Sequence, residues 1–203
     1  MGQLSLFEAE EFYEFPKDLL EFKEHFLNRV EADVLKDVLL NNTPWEQRTQ
    51  KMYDKTVLTP RLTAWYGDNN SEDLDGNVSG TNPWTPELLL LKERIEKEFD
   101  YQFNGVLLNL YRNNNDSVAW HRDKESRYGK YPVIASISLG QIRNFDFRKK
   151  ENHSSKYSLP LPHGSLLIMK GDLQENWEHR IAKSTIPMKE RINLTFRLIQ
   201  KKN

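Results

Sequence analysis

The stretch Arg191-Ile192-Asn193-Leu194-Thr195-Phe196-Arg197 predicts a β-strand, because its polar and apolar side chains alternate with the two-residue period of a strand. The apolar side chains of Ile192, Leu194 and Phe196 share one face of this strand, and we expect that face to pack on the core. The polar face carries Arg191 and Arg197, and two arginines inside a protein are unfavourable unless an anion neutralises them. This face therefore either holds a small dicarboxylate or lies in solvent.

Short strand-like runs, separated by turn residues, also precede this stretch. β-Branched, aromatic or alternating sequence predicts strands at residues 106–111, 133–139, 145–148, 157–161, 165–169 and 192–199. Many short strands without helices between them are typical of an antiparallel sandwich or jelly roll. Together with two helices upstream, they predict an α+β fold.

The two upstream helices are predicted from apolar spacing and a capping signal. Apolar residues recur every three or four positions from Leu19 to Val38, which predicts an amphipathic helix over residues 16–40. A second helix is predicted to begin at Pro86, with Thr85 as its N-cap. We expect both helices to buttress the sheet, and the segment between them to consist of strands and loops with limited order of their own.

Length and composition indicate one soluble domain with a short N-terminal extension. The chain has 203 residues, of which 37% are hydrophobic and 29% charged. It has no cysteine, which excludes disulfides, Fe–S clusters and thiolate metal sites. No apolar run approaches the roughly 20 residues of a membrane helix, and the acidic N-terminus lacks the basic region of a secretory signal. We expect a monomer that does not contact membranes.

Charge is distributed unevenly along the chain. Residues 1–100 contain 11 basic and 21 acidic side chains, whereas residues 101–203 contain 18 and 9. The basic half could therefore meet a polyanion such as a nucleic acid. Mutual attraction between the two halves is the alternative explanation.

A metal-binding pattern appears at His121-Arg122-Asp123. The side chains of His121 and Asp123 project from the same face of an extended segment. His179 could join them from a distant strand, and His163 is its rival as third ligand. Two imidazoles and one carboxylate can occupy one face of Fe(II) and leave the opposite face open for water, a co-substrate and O2.

The combined motifs resemble the AlkB family of Fe(II)- and 2-oxoglutarate-dependent dioxygenases, and most closely the members that repair alkylated DNA. The resemblance covers about residues 60–197. The matching motifs, in chain order, are Pro60-Arg61, Tyr66-Gly67-Asp68, Asn109-Leu110-Tyr111, His121-Arg122-Asp123-Lys124-Glu125, Ile134-Ala135-Ser136-Ile137-Ser138-Leu139-Gly140, His163-Gly164-Ser165-Leu166-Leu167, His179 and the stretch quoted first. The resemblance implies a double-stranded β-helix (jelly roll) with N-terminal buttressing helices and a nucleotide-recognition lid.

The resemblance also implies the cofactors, Fe(II) and O2 with 2-oxoglutarate as co-substrate, and the residues that bind them. Iron would be bound by His121, Asp123 and His179. Arg191, helped by Tyr111, would clasp the distal carboxylate of 2-oxoglutarate, a bidentate contact that suits a planar guanidinium. Its chelating end would be fixed by Asn109, Asn193 and Arg197.

By the same resemblance, the activity would be oxidative demethylation of N1-methyladenine and N3-methylcytosine in DNA. The N-methyl group would be hydroxylated and released as formaldehyde. These methyl groups lie inside the duplex, so the base must be unpaired or flipped. An RNA demethylase or a protein hydroxylase on the same scaffold are alternatives, as is a non-catalytic jelly roll that binds nucleic acid.

Several residues are candidates for contacting this substrate. The resemblance implies that Glu125 contacts the base edge, although an ion pair with a neighbouring cation is the alternative. The base would stack on His121 and on a lid aromatic, but Asn77-Val78 stands where relatives carry lid aromatics. Trp65 or Tyr66 could supply the stacking face or belong to the core. The remaining candidates are Tyr53 as a wedge in the vacated stack, Arg61, and the basic hairpin residues Arg143, Arg148, Lys149, Lys150 and Lys156 as phosphate contacts.

The predicted organisation is a tail at residues 1–15 and a dioxygenase domain at 16–203. Within that domain, the lid would span about residues 45–83 and the jelly-roll core about 101–200. In the tail, Gln3-Leu4-Ser5-Leu6-Phe7 resembles the peptide by which bacterial proteins bind the replication sliding clamp. Packing of its apolar residues on the domain is the alternative. A genuine clamp motif would make the protein bacterial, cytoplasmic and nucleoid-associated on DNA; otherwise we expect an intracellular protein.

Overall fold

The computed structural model describes residues 15–52, 55–68, 81–123 and 131–199. Two sheets and three helices form the framework of this part. The predicted α+β jelly roll is confirmed, because two largely antiparallel sheets enclose an apolar core and helices pack on the outer side of one of them. In the described ranges, no helix combines the length and the apolar character needed to cross a membrane.

The major sheet has seven strands and contains the alternating stretch Arg191–Arg197. Its strands in chain order are β1 (Leu20–Lys23), β4 (Leu62–Gly67), β5 (Asn82–Pro83), β6 (Gly105–Tyr111), β8 (Ile134–Gly140), β11 (Ser165–Met169) and β13 (Arg191–Arg197). Their spatial order is β1-β11-β8-β13-β6-β4-β5. Strand β13 pairs antiparallel with both β8 and β6, so its side chains lie in the middle of the sheet.

The minor sheet has four strands and faces the polar side of β13. Its strands are β7 (Val118–His121), β9 (Arg143–Lys149), β10 (Lys156–Leu161) and β12 (Trp177–Ile181), in the spatial order β10-β9-β12-β7. A separate hairpin, β2 (Thr49–Met52) and β3 (Lys55–Leu58), lies within the predicted lid. Strand β4, also in that predicted segment, instead belongs to the major sheet.

The helices are α1 (Arg29–Asn42), α2 (Pro86–Phe99) and the short α3 (Leu173–Asn176). Helix α2 begins as predicted, with the Thr85 side chain accepting a hydrogen bond from the backbone N–H of Leu88. Its residues Leu88, Leu91 and Ile95 are buried against the major sheet. This helix therefore covers the apolar face of β13, which confirms the predicted orientation of that face.

The prediction of a helix from residue 16 was wrong. Residues 20–23 form β1, which pairs with β11, and α1 begins only after Asn28, which forms a capping box with Glu31. The expected apolar stripe also fails, because Val30 is 72% exposed while Ala32 and Leu39 are buried. The regular apolar spacing came from a strand, a turn and a helix placed end to end.

Candidate functional site

The three proposed iron ligands come from the minor sheet and the segment that follows one of its strands. Strands β7 and β12 are paired in a register that sets His121 opposite His179, and the two ring centroids are 4.3 Å apart. Asp123 follows β7 by two residues. The predicted convergence of a short motif with a distant histidine therefore results from one antiparallel pairing.

Both imidazoles are neutral at physiological pH. Burial lowers the pKa of His121, and burial together with the neighbouring His121 lowers the pKa of His179 to about 3. The Nδ1–H group of His121 donates to the carbonyl of Ala119 at 2.9 Å, which leaves Nε2 as the free lone pair. A ring that donates its second nitrogen to a backbone carbonyl is typical of metal-ligating histidines.

The Asp123 carboxylate is ionised. Burial alone would raise its pKa, but the neighbouring Arg197 guanidinium lowers the pKa below its ordinary value. The Nη2 group of Arg197 lies 3.2 and 3.4 Å from the two carboxylate oxygens. A buried carboxylate next to two neutral imidazoles is the donor set that Fe(II) prefers.

Within the described ranges, no three His, Asp or Glu side chains form a finished metal-binding cluster. The Asp123 carboxylate is paired with Arg197. The residues nevertheless fit the metal in kind, in charge and in burial, and the Nδ1 atom of His179 is buried without a hydrogen bond among the described residues.

His163, the rival third ligand, lies elsewhere. Its Nδ1 accepts a hydrogen bond from the backbone N–H of Gly140 at 2.8 Å, and its Nε2–H donates to Asp33 at 3.1 Å. It lines a separate crevice beside α1. His179 is therefore the histidine that is positioned to act with His121.

Arg191 is the strongest anion-binding candidate in the described chain. Its side chain is buried, 1% exposed, and lies over the ring of Tyr111, with its Cζ 5.2 Å from the ring centroid. Nη2 donates to the Ser138 hydroxyl at 2.9 Å, whereas Nε and Nη1 are buried without a hydrogen-bond partner among the described residues. Burial lowers its pKa to about 10, so the group stays charged at neutral pH. A carboxylate at the end of the guanidinium would satisfy the Nη1 donor.

The other predicted co-substrate residues lie on the same face. Asn193 is opposite Asn109 on β6, and its side-chain amide donates to the Ser136 hydroxyl at 2.7 Å. The Nε of Arg61 donates to Oδ1 of Asn109 at 2.8 Å. A solvated polar face of β13 is excluded, because every residue of this strand is buried.

One cavity of about 350 Å³ brings together nine of the predicted residues. They are Arg61, Asn109, Tyr111, His121, Asp123, His179, Arg191, Asn193 and Arg197. The apolar part of its wall consists of Leu107, Val118, Phe145, Leu161, Met169 and Ile181. The cavity thus combines two neutral imidazoles, one carboxylate and two buried guanidinium groups with apolar side chains.

Comparison with known proteins agrees with this arrangement. A sequence profile of the 2OG-Fe(II) oxygenase superfamily matches residues 19–197. The chain belongs to this superfamily. Membership implies Fe(II), 2-oxoglutarate and O2 as the cofactors of the site.

Two groups of relatives within this oxygenase superfamily are informative. Human alpha-ketoglutarate-dependent dioxygenase alkB homolog 3 is 43% identical over 182 residues, which are 86% of this chain and 64% of the relative. DNA oxidative demethylase ALKBH2 of Arabidopsis thaliana is 34% identical over 192 residues, covering 80% of this chain and 60% of the relative. The resemblance to AlkB proteins is therefore confirmed, although the chain spans less than two thirds of the length of these relatives.

The fold also agrees with a solved member of the AlkB group. The structure of OsALKBH1 superposes with a TM-score of 0.65, covering 91% of this chain and all of that one. At 16% sequence identity, this similarity supports the oxygenase fold alone.

Trp65 and Tyr66 are buried and do not line the oxygenase cavity, which contradicts the hypothesis that either stacks on a base. Strand β4 places Trp65 opposite Leu107, where its ring is fully buried and packs with Leu107 and Ile199. Tyr66 lies in the core beneath the helices, and its hydroxyl contacts Thr43. Both aromatic residues stabilise the major sheet.

The prediction that Arg143 is a surface phosphate contact is also wrong. Its guanidinium is buried and donates to the backbone carbonyls of Asn113, Asp116 and Ala182 at 2.5–3.3 Å. It lies beside Tyr111, with its Cζ 5.6 Å from the ring centroid. Arg143 therefore ties together two loops behind the cavity.

The other basic hairpin residues do lie on the surface. Arg148 is half-buried, paired with Glu178 at 2.9 Å and stacked over Trp120, so it is not available as an unpaired phosphate ligand. Lys149, Lys150 and Lys156 are exposed. These three lysines remain predictions as phosphate contacts.

Three predicted features lie outside the described residues. They are the base-edge contact Glu125, the wedge Tyr53 and the clamp-like motif Gln3-Leu4-Ser5-Leu6-Phe7. Their roles remain predictions. The same holds for Asn77-Val78 in the expected lid.

Sequence reasoning missed Gln174 and Arg180 in the site. Gln174 accepts a hydrogen bond from the backbone N–H of Asp123, and Arg180 lines the cavity while its Nε pairs with Asp146 at 2.9 Å. The alternation of buried Trp177, His179 and Ile181 with half-buried Glu178 and Arg180 was a usable strand signal. Nothing local in the sequence pointed to Gln174.

Proposed function

We propose that the protein is an Fe(II)- and 2-oxoglutarate-dependent oxygenase that demethylates N1-methyladenine and N3-methylcytosine in DNA and releases formaldehyde. The observation that carries the proposal is the single cavity in which His121, Asp123 and His179 lie beside buried Arg191. A pure binding module has no need for this combination. The relatives named dioxygenase and DNA oxidative demethylase support a nucleic-acid substrate.

The metal would be held by His121, Asp123 and His179. Their protonation states suit this role, because the lowered pKa values keep both rings neutral and the carboxylate ionised. When bound, Fe(II) with 2-oxoglutarate and O2 supplies the oxidising chemistry that hydroxylates the methyl carbon. The residues of the chain contribute binding, orientation and exclusion of water.

Arg191 would bind the distal carboxylate of 2-oxoglutarate. Its unpartnered Nη1, next to Nη2, and its fixed position against Tyr111 and Ser138 pre-organise a bidentate contact. Arg197 and Asn193, further along the same face, would orient the keto-acid end next to the metal ligands. Because all of these donors are held by β13, the co-substrate would be aligned along one rigid strand.

The methylated base would enter the cavity in a flipped or unpaired state. Apolar walls at Val118, Phe145 and Ile181 exclude water from around the reacting methyl group. Arg122 is exposed, lines the same cavity and would meet the phosphates near the entering base. Lys149 and Lys150, exposed at the end of β9, would extend this phosphate contact.

Formaldehyde release provides the test. The full chain is incubated with Fe(II), ascorbate, 2-oxoglutarate and oligonucleotides that carry one methylated base, as single- or double-stranded DNA or as RNA. We expect turnover on DNA, its loss in Asp123→Ala and its retention in the exposed control Asp37→Ala. Turnover on RNA alone would replace the DNA assignment, and no turnover on any nucleic acid would favour a protein substrate or a non-catalytic role.

We also propose the sliding clamp as a partner, through the motif at residues 3–7. Leucine and phenylalanine side chains would enter an apolar pocket of the clamp while glutamine forms hydrogen bonds at its rim. Deletion of residues 2–7 should abolish co-migration with a bacterial clamp on gel filtration and leave formaldehyde release intact. Unchanged co-migration would refute this partner.

A further inference from the structure

Helix α3 contacts the segment that carries one proposed metal ligand and leads directly into the strand that carries another. Gln174 Oε1 accepts a hydrogen bond from the backbone N–H of Asp123 at 2.9 Å. The next residue, Glu175, accepts one through its carbonyl from Nη1 of Arg122 at 3.1 Å. Since α3 ends at Asn176 and β12 begins at Trp177, the same short helix fixes the position of His179 relative to Asp123.

The Gln174 side chain is polar at a position where packing alone would favour an apolar residue. It is 2% exposed, and its Nε2 makes only a weak contact with Sδ of Met169 at 3.9 Å. A buried amide stabilises a fold only when its groups are hydrogen-bonded. The bond to Asp123 is the strong one that this amide makes, so the contact explains why a glutamine is there.

We propose that Gln174 is a positioning residue for the metal centre. By holding the backbone of Asp123, it sets the direction from which the carboxylate approaches His121 and His179. This inference rests on the iron-binding role proposed above. Gln174 would not touch the metal itself and would act through the backbone of Asp123.

The expected effect is a loss of metal affinity. Removal of a hydrogen-bonding partner behind a metal ligand typically weakens binding by about 10- to 100-fold. Because Gln174 bonds to the backbone of Asp123 and not to its carboxylate, we expect the lower end, about tenfold. The Met169 contact is too long to add to this effect.

The test is a titration of the full chain with Co(II) alone, followed by visible absorption, which reports both affinity and ligand geometry. Gln174→Met removes the acceptor at nearly constant volume, Gln174→Glu keeps an oxygen acceptor in place, and Glu175→Gln is the matched control in the same helix. We expect about tenfold weaker binding and an altered spectrum for Gln174→Met. Glu175→Gln should bind Co(II) as the wild type does, and Gln174→Glu, which keeps an oxygen acceptor but adds a buried carboxyl beside Asp123, should bind it more tightly than Gln174→Met.

A second variant keeps the test valid if Gln174→Met does not fold. Arg122→Ala removes the other bond to α3 from an exposed side chain, and a hydrogen bond worth about 1 kcal/mol corresponds to about fivefold weaker binding. If Asp123→Ala abolishes Co(II) binding while Gln174→Met and Arg122→Ala bind as the wild type does, the inference is overturned and the metal site stands. If the wild type binds no Co(II), or Asp123→Ala binds it equally well, the metal site itself fails.

Discussion

Replacing Arg191 with methionine should stabilise the protein and at the same time abolish its use of 2-oxoglutarate. Burial lowers the pKa of this group from 12.5 to about 10, so the folded state disfavours its charge. At pH 7 this disadvantage is about 3 kcal/mol, and it disappears only as the pH rises through the interval between those two values. Loss of the Ser138 hydrogen bond and of the contact with Tyr111 removes about 2 kcal/mol.

The net gain for Arg191→Met is about 1 kcal/mol, or about 3 °C in Tm for a chain of this size. The loss in co-substrate binding is larger. A carboxylate loses two charge-assisted hydrogen bonds of about 1.5–3 kcal/mol each, which corresponds to a Kd for 2-oxoglutarate raised by about 100- to 10,000-fold.

Thermal unfolding with and without 2-oxoglutarate, in the presence of Mn(II), measures both effects. Wild-type Tm should rise with 2-oxoglutarate, whereas the variant should start higher and not respond. Arg29→Met, at a side chain 89% exposed, is the control and should behave as the wild type does. A variant that is less stable than the wild type by several kcal/mol would refute the inference that the buried charge of Arg191 destabilises the fold. A variant whose Tm still rises with 2-oxoglutarate would refute the inference that Arg191 binds this co-substrate.

Three further predictions test the framework around the cavity. Gly105→Ala should destabilise the fold by about 1–3 kcal/mol in urea unfolding, because the added Cβ would overlap the Trp65 ring; wild-type stability would contradict this packing. Asp116→Asn should lower the unfolding free energy at pH 7, because hydrogen bonds from Arg112 lower the pKa of this carboxyl despite its burial. The difference in unfolding free energy between wild type and variant should shrink as the pH falls below about 4. A difference that does not depend on pH would exclude the ionised pair. Replacing Lys149 and Lys150 with alanine should reduce the salt dependence of DNA binding by about two phosphate contacts, and an unchanged slope would remove them from the interface.

Sequence predicted the fold best where local signals and tertiary packing agree. The N-cap at Thr85 and the alternation in β13 required no knowledge of distant residues. Strand β1 was missed because its identity depends on pairing with β11, more than 140 residues away. Periodicity alone assigned the apolar residues of β1 to a helix that begins only at Arg29.

In the candidate site, too, residues with a local sequence signal were predicted, and residues whose position depends on tertiary packing were not. The motif at His121 and the polar face of β13 are legible in the sequence, but which aromatic residues face the cavity depends on sheet register. Trp65 looked suited to stacking, but its ring is fully buried with Leu107 and Ile199. Arg143 was grouped with basic neighbours although it has the same strand parity as the buried Phe145, which was a signal that it points inward.

The most direct test of the central claim is anomalous X-ray scattering at the iron edge from crystals grown anaerobically with Fe(II) and 2-oxoglutarate. One strong peak is expected among His121, Asp123 and His179, with a dicarboxylate that extends from it to Arg191. A peak at any other site, or no peak while Asp123 stays bonded to Arg197, would exclude this iron site.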